Sequence, residues 1–172
     1  KNPARFKDLD MRMADAKYYK GVKIYNEDAN VLARRVKCDI VYMDPPYNSQ
    51  QYCSMYHVLE ILAKWDKPQL YRDTAKPLHL DNKSDFCKKD AIKAFTDLVT
   101  HVDARYIAVS YSNTYDAKSK TSNNKMTLEE IRQILELRGT TKMFCMDYKP
   151  FNAGKTELVN HQEILFLTKV IV

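Results

Sequence analysis

The stretch Cys38-Asp39-Ile40-Val41-Tyr42-Met43-Asp44-Pro45-Pro46-Tyr47-Asn48 decides how this chain is read. Cys38 to Met43 form a largely apolar run, the pattern of a strand buried in a parallel sheet. The run stops at two consecutive prolines, which lack donor N–H groups and cannot extend a ladder. In an open α/β sheet, ligands bind beyond the carboxyl ends of the strands, and Asp44-Pro45-Pro46-Tyr47 stands at such an end. As plain structure, the same four residues make a proline-stiffened turn with a capping aspartate.

Apolar periodicity places the other elements around this strand. Val22 to Asn26 reads as a short strand before it. Tyr52 to Trp65 follows as a helix with Met55, Val58, Leu59, Leu62 and Ala63 on one face, and Pro68 lies just beyond. Residues 66–84 are a polar loop, and Phe86 to Val102 a second helix carrying Ala91, Phe95, Leu98 and Val99. Tyr106 to Tyr111 is another buried strand, and the polar stretch Ser112 to Lys125 has no apolar period. Thr127 with Glu130 three residues on forms a capping-box signature for a third helix, which Gly139 is placed to stop. Lys142 to Tyr148 and His161 to Val170 are two final strands, joined without a helix through Pro150, Asn152 and Gly154. The expected fold is α/β, a mostly parallel sheet with a C-terminal antiparallel hairpin.

Composition narrows the function classes. The 172 residues suit one domain with a real core, and 45% hydrophobic with 29% charged residues excludes disorder. Only three glycines occur, too far apart for G-x-G-x-x-G or a P-loop. The net charge is +6, and residues 1–37 hold ten basic and five acidic groups, which suits a polyanion partner or a solvated basic surface. The four cysteines and four histidines show no metal-ligand spacing, so no metal is expected, and reduced thiols are. No apolar run reaches the roughly 18 residues of a membrane span, and no signal peptide is visible, so a cytoplasmic protein is the default.

D-P-P-Y after an apolar strand resembles the catalytic motif of S-adenosylmethionine-dependent amino-methylating DNA methyltransferases. The longer run Ile40 to Asn48, preceded by Ile24-Tyr25-Asn26-Glu27-Asp28-Ala29 and followed by Tyr106 to Tyr111, is similar to the Dam-like, adenine-specific class. The resemblance covers about residues 22–172 in order of elements and is sharp around 40–52. It implies a Rossmann-like methyltransferase sheet, methyl transfer from S-adenosylmethionine to adenine N6 in double-stranded DNA with the adenine flipped out, and a place in a restriction–modification system. It also implies a bacterial or phage protein working at the nucleoid. Asp44, Pro45, Pro46 and Tyr47 are the catalytic residues it implies, with Asp28 and Asp44 near the cofactor. Asp28 reads equally as a helix N-cap.

The chemistry accounts for these residue types. The lone pair of adenine's exocyclic nitrogen is delocalised into the ring, and acceptors for both N–H hydrogens favour the pyramidal, nucleophilic nitrogen. The Asp44 carboxylate can accept one hydrogen and the Pro45 carbonyl the other, held by the stiff Pro-Pro unit. The carboxylate makes the stronger, charge-assisted bond. Tyr47 offers an aromatic face to an extruded base, and such stacking is worth about 1–3 kcal/mol per base. Tyr52 reads either as a residue closing over the same pocket or as the first turn of a buried helix. Asn48 with Ser49-Gln50-Gln51 reads as a DNA-touching loop or a solvated turn. Lys118 and Lys120, with Lys125, suit phosphate contacts or a flexible loop. His57 and Cys53 read as structural.

The glycine-rich cofactor loop of such enzymes, usually F-x-G-x-G, is absent. The expectation is therefore that residues 1–21 are the tail of a preceding helical or recognition region. Residues 22–172 are then the C-terminal part of the catalytic domain, inactive without the strands and cofactor loop upstream. The alternatives are an RNA adenine methyltransferase, a catalytically silent nucleic-acid-binding remnant, and a plain α/β domain. Oligomeric state and target sequence are not legible.

Overall fold

The computed structural model describes residues 20–72, 76–78, 82–113, 124–147 and 161–171. The elements in chain order are α1 (Ala29–Ala33), β1 (Lys37–Met43), α2 (Tyr52–Met55), α3 (His57–Lys64), a 3-10 turn (Asp85–Cys87), α4 (Ala91–His101), β2 (Asp103–Ser112), α5 (Leu128–Glu136), β3 (Gly139–Asp147) and β4 (Gln162–Val170). The strands form one sheet in the order β1-β2-β4-β3. β1 and β2 are parallel, with Val41 opposite Ile107 and Met43 opposite Val109. β4 is antiparallel to both neighbours, with Phe166 opposite Val109 on one side and Met143 on the other. Strands β1, β2 and β3 therefore run one way and β4 runs against them. The sheet is mixed, and the expected terminal hairpin is present with its second strand inserted beside β2.

Alternation along β2 sorts the two faces. Ile107, Val109 and Tyr111 are buried, together with Ile164 and Phe166 of β4, under Phe95, Leu98 and Val99 of α4 and Ile131 and Leu135 of α5. The helices are tied down as well as packed. Asp97 of α4 accepts from Asn30 of α1 (2.7 Å) and from Arg34, the C-cap of α1. The Arg138 guanidinium donates to the carbonyls of Val99 and Thr100, two of the orphan acceptors in the last turn of α4, and to that of the cap residue Val102. On the other face, Ile40, Tyr42, Phe144, Met146 and Leu165 are exposed. No helix among the described residues is long and apolar enough to cross a membrane.

Several sequence expectations need correction. Val22 to Asn26 is not a strand; Val22 and Ile24 are exposed, and β1 pairs only with β2 among the described residues. A strand needs a ladder partner, and an apolar alternation this short supplies none by itself. The helix expected over 52–65 breaks into α2 and α3 at Tyr56, and Val58, Leu59 and Leu62 are exposed rather than buried. The helix expected from Phe86 begins as a 3-10 turn capped by Ser84, and Lys88 is extended before α4. The capping box at Thr127 is present in both directions. Gly139 opens β3 instead of ending α5, whose cap is Leu137. A Cβ at Gly139 would lie 2.0 Å from the Lys169 carbonyl oxygen, so close strand approach is what requires glycine there.

Candidate active site

Asp44 is the first residue beyond β1, and its side chain lies on the sheet face opposite the core helices, as do Tyr42 and Ser110. It is exposed, whereas Pro45 is buried and Pro46 half-buried. The two prolines thus anchor the backbone while the carboxylate stays accessible. Ser110 Oγ donates to Asp44 Oδ1 at 3.1 Å, and Tyr42 donates its phenol to Ser110 Oγ at 2.9 Å. The Glu163 carboxyl is pushed up, first by burial and then by the Asp44 charge. A second carboxyl group, at the start of β4, sits opposite Ser112, two residues along from Ser110. His161, buried and with its pKa lowered by burial, lies 3.7 Å from Glu163.

The loop after the prolines is held to the core. Tyr47 packs edge-on against Tyr111, with ring centroids 6.2 Å apart at 80°. The Tyr47 carbonyl accepts from the Lys125 backbone N–H (2.8 Å) and the Tyr111 hydroxyl (3.3 Å). The same hydroxyl accepts from the Met126 N–H at 3.2 Å. Asn48 accepts from the Gln50 N–H through Oδ1 (2.9 Å), a local turn bond. Gln51 exchanges two hydrogen bonds with the Ser84 backbone, at 2.8 and 3.0 Å, and Cys87 donates to the Gln50 carbonyl. These ties pin residues 50–51 to the 84–87 segment.

Tyr52 is half-exposed as the first residue of α2, edge-on to Tyr56 at 5.8 Å. Burial, then the neighbouring Asp44 carboxylate, pushes its phenol up. It therefore belongs to the Asp44 environment and is no buried helix position. Asp28 accepts from the backbone N–H groups of Asn30 (2.9 Å) and Val31 (3.1 Å), so it is the N-cap of α1. It also lines the same cleft as Asp44, Pro45, Pro46 and Tyr52, a space of about 1130 Å³ beside β1. Lys118 and Lys120 lie outside the described residues. Among the described residues, no group of His, Cys, Asp and Glu side chains can hold a metal ion.

A family model for D12 class N6 adenine-specific DNA methyltransferases matches residues 1–136, a span that includes α1, β1, the D-P-P-Y turn and β2. The chain belongs to this family. Curated relatives agree with the placement. The chain is 37% identical over 155 residues to the type II methyltransferase M.FokI of Planomicrobium okeanokoites, covering 87% of this chain and 23% of that protein. It is 34% identical over 143 residues to the type II methyltransferase M.NlaIII of Neisseria lactamica, covering 83% and 40%. It is 34% identical over 146 residues to the modification methylase StsI of Streptococcus sanguinis, covering 84% and 21%. The chain thus spans between about a fifth and two-fifths of the length of these relatives. No solved structure matches it.

In this D12-class chain, Asp28, Asp44, Pro45, Pro46 and Tyr52 share one cleft, while Tyr47 and Asn48 sit in the adjoining loop. Sequence reading missed Tyr42, Ser110 and Glu163. The signal for Ser110 lies in the run Ile107-Ala108-Val109-Ser110, where a hydroxyl interrupts an apolar strand near its carboxyl end. The parallel register of β1 and β2 then delivers that hydroxyl to Asp44. Glu163 opens β4 and reaches the site only through the antiparallel pairing of Glu163 with Ser112.

Proposed function

We propose that the protein carrying this chain transfers a methyl group from S-adenosylmethionine to the exocyclic N6 of adenine in DNA, as the modification enzyme of a restriction–modification system. The supporting observation is the accessible Asp44 carboxylate at the carboxyl end of β1, backed by two anchored prolines and opening on a cleft. In this reading Asp44 accepts one N6 hydrogen and the Pro45 carbonyl the other, so the nitrogen becomes pyramidal and its lone pair is withdrawn from the ring and directed to one face of it. The positive charge that develops on nitrogen is stabilised by the carboxylate, and the N6 proton leaves to solvent only after the methyl–sulfur bond has broken. Tyr47, braced by Tyr111 and by two hydrogen bonds to its carbonyl, is rigid enough to serve as a stacking face for a flipped base. Asn48 and Tyr52 lie beside it as further base or backbone contacts, and Lys118 and Lys120 are assigned to phosphates.

S-adenosylmethionine supplies the electrophilic methyl on a sulfonium. The lining supports this reading: the acidic Asp28 and Asp44 suit the ligand's cationic and hydroxyl groups, and the apolar Val41, Met43 and Leu98 line the same space. Asp28 is assigned to the cofactor with its N-cap role retained. The sheet is read as the C-terminal part of a Rossmann-like methyltransferase sheet, residues 1–21 as the tail of a preceding region, and this chain as the base-handling side of the site.

The test uses the intact protein, methyl-tritiated S-adenosylmethionine, and plasmid DNA grown without adenine methylation. Label recovered as N6-methyladenine from DNA, and absent from a parallel RNA sample, is the expected result. Label on RNA alone, or on cytosine, overturns the assignment.

A further inference from the structure

We propose that Ser110, fed by Tyr42, is a positioning residue that fixes the rotation of the Asp44 carboxylate for methyl transfer. This rests on the adenine-methylation reading above and adds a role for residues beyond the D-P-P-Y turn.

Asp44 stands at the mouth of the sheet, exposed, and beyond the last ladder pair of β1. An aspartate there has free side-chain rotation unless something holds it. The reaction, however, needs one carboxylate oxygen aimed at the amino group within hydrogen-bond distance. Ser110 supplies the constraint. Its Oγ donates to Oδ1 at 3.1 Å, which occupies that oxygen and leaves Oδ2 to receive the N6 hydrogen. A serine hydroxyl has a single proton, and its direction is set by what else it bonds. Here the Tyr42 phenol donates to Ser110 Oγ at 2.9 Å, so the serine's own proton is committed to Asp44. The three groups form a one-way chain, Tyr42 to Ser110 to Asp44, that ends on the charge and is strengthened by it.

The fold builds this chain from the sheet itself. Tyr42 is opposite Ala108 in the parallel register, so Ser110 lies two residues further along the same face, level with Asp44. On the next strand Ser110 faces Leu165 and Ser112 faces Glu163, so a second carboxyl group lies diagonally across from the serine. Two carboxylates at one end of a sheet repel, and a donated hydroxyl holds the catalytic one in place against that push. Neither Tyr42 nor Ser110 is buried, so burial of their hydroxyls does not require this arrangement.

The experiment measures kcat and KM of the intact protein with methyl-tritiated S-adenosylmethionine and adenine-unmethylated plasmid DNA. It compares wild type with Ser110→Ala, Ser110→Thr and Tyr42→Phe, and takes a thermal melt of each. A hydrogen bond to a charged group and the geometry it enforces make kcat of Ser110→Ala fall about 10- to 100-fold. Its KM for S-adenosylmethionine and its melting temperature stay close to wild type. Ser110→Thr keeps the hydroxyl, suits a strand, and holds kcat within about threefold. Tyr42→Phe lowers kcat by about threefold, because the serine's proton loses its preferred direction. The proposal is overturned if Ser110→Ala keeps kcat within twofold, if Ser110→Thr is as slow as Ser110→Ala, or if Ser110→Ala does not fold. Failure of the underlying reading looks different: wild type then places no label on adenine, or Asp44→Ala stays active, and either result removes the proposal with it.

Discussion

Tyr111→Phe isolates how the D-P-P-Y loop is held to the sheet. The phenol oxygen accepts from the Met126 N–H at 3.2 Å and donates to the Tyr47 carbonyl at 3.3 Å. Tyr111 is 2% exposed and Met126 1%, so removing the oxygen strips the Met126 N–H of this acceptor where water does not reach. Such an unsatisfied donor costs about 1–3 kcal/mol. The Tyr47 carbonyl retains the Lys125 N–H at 2.8 Å and adds little to the loss. The ring stays in place, so no cavity term enters. For a urea slope of about 2 kcal/mol/M, the midpoint falls by about 0.5–1.5 M. Urea titration of the purified protein, followed by far-ultraviolet circular dichroism, reads the shift directly. A midpoint within about 0.2 M of wild type, at unchanged slope, would refute the assignment of this hydroxyl as the tie between β2 and the loop.

Two further outcomes follow from the packing and the charges. Gly139→Ala places a methyl carbon 2.0 Å from the Lys169 carbonyl oxygen, so β3 and β4 must part at that end; a loss of about 1–3 kcal/mol is expected in the same titration, and a neutral variant contradicts the close approach. Asp97 is held below the ordinary aspartate range by its hydrogen bonds from Arg34 and Asn30. A carboxylate whose folded pKa is depressed contributes stability above its unfolded pKa, and that contribution fades as pH falls through and below about 4. Melting temperatures from pH 6 to pH 3 are therefore expected to fall more steeply for wild type than for Asp97→Asn, and parallel curves would contradict the linkage.

Strand β1 and the turn that follows it were legible because their signals are local. A continuous apolar run that ends in Pro-Pro says where β1 stops, and the carboxylate at that junction follows from adjacency alone. Thr127 and Glu130 likewise announced α5 through a bond spanning three residues. What stayed hidden depends on pairing across the sheet. Val22 to Asn26 has the alternation of a strand, but an extended segment becomes one only with a partner edge. The apolar stripe of 52–65 has helical spacing, yet spacing does not say whether another layer covers it, and Leu59 and Leu62 are exposed. Ser110 is 66 residues from Asp44 in the chain, and only the register of β1 on β2 brings them together. Gly139 looked like a helix stop because glycine suits a C-cap, whereas the crowding that requires it comes from Lys169 on another strand.

In the proposed reaction Asp44 is the acceptor that activates adenine's amino group. Its most direct test is Asp44→Ala in the intact protein, with initial rates of methyl transfer to unmethylated plasmid DNA measured beside DNA binding by gel shift. The prediction is a fall in turnover of about 100-fold or more, with DNA affinity within about threefold of wild type, since the carboxylate acts in the transition state. Turnover close to wild type in Asp44→Ala would contradict the mechanism.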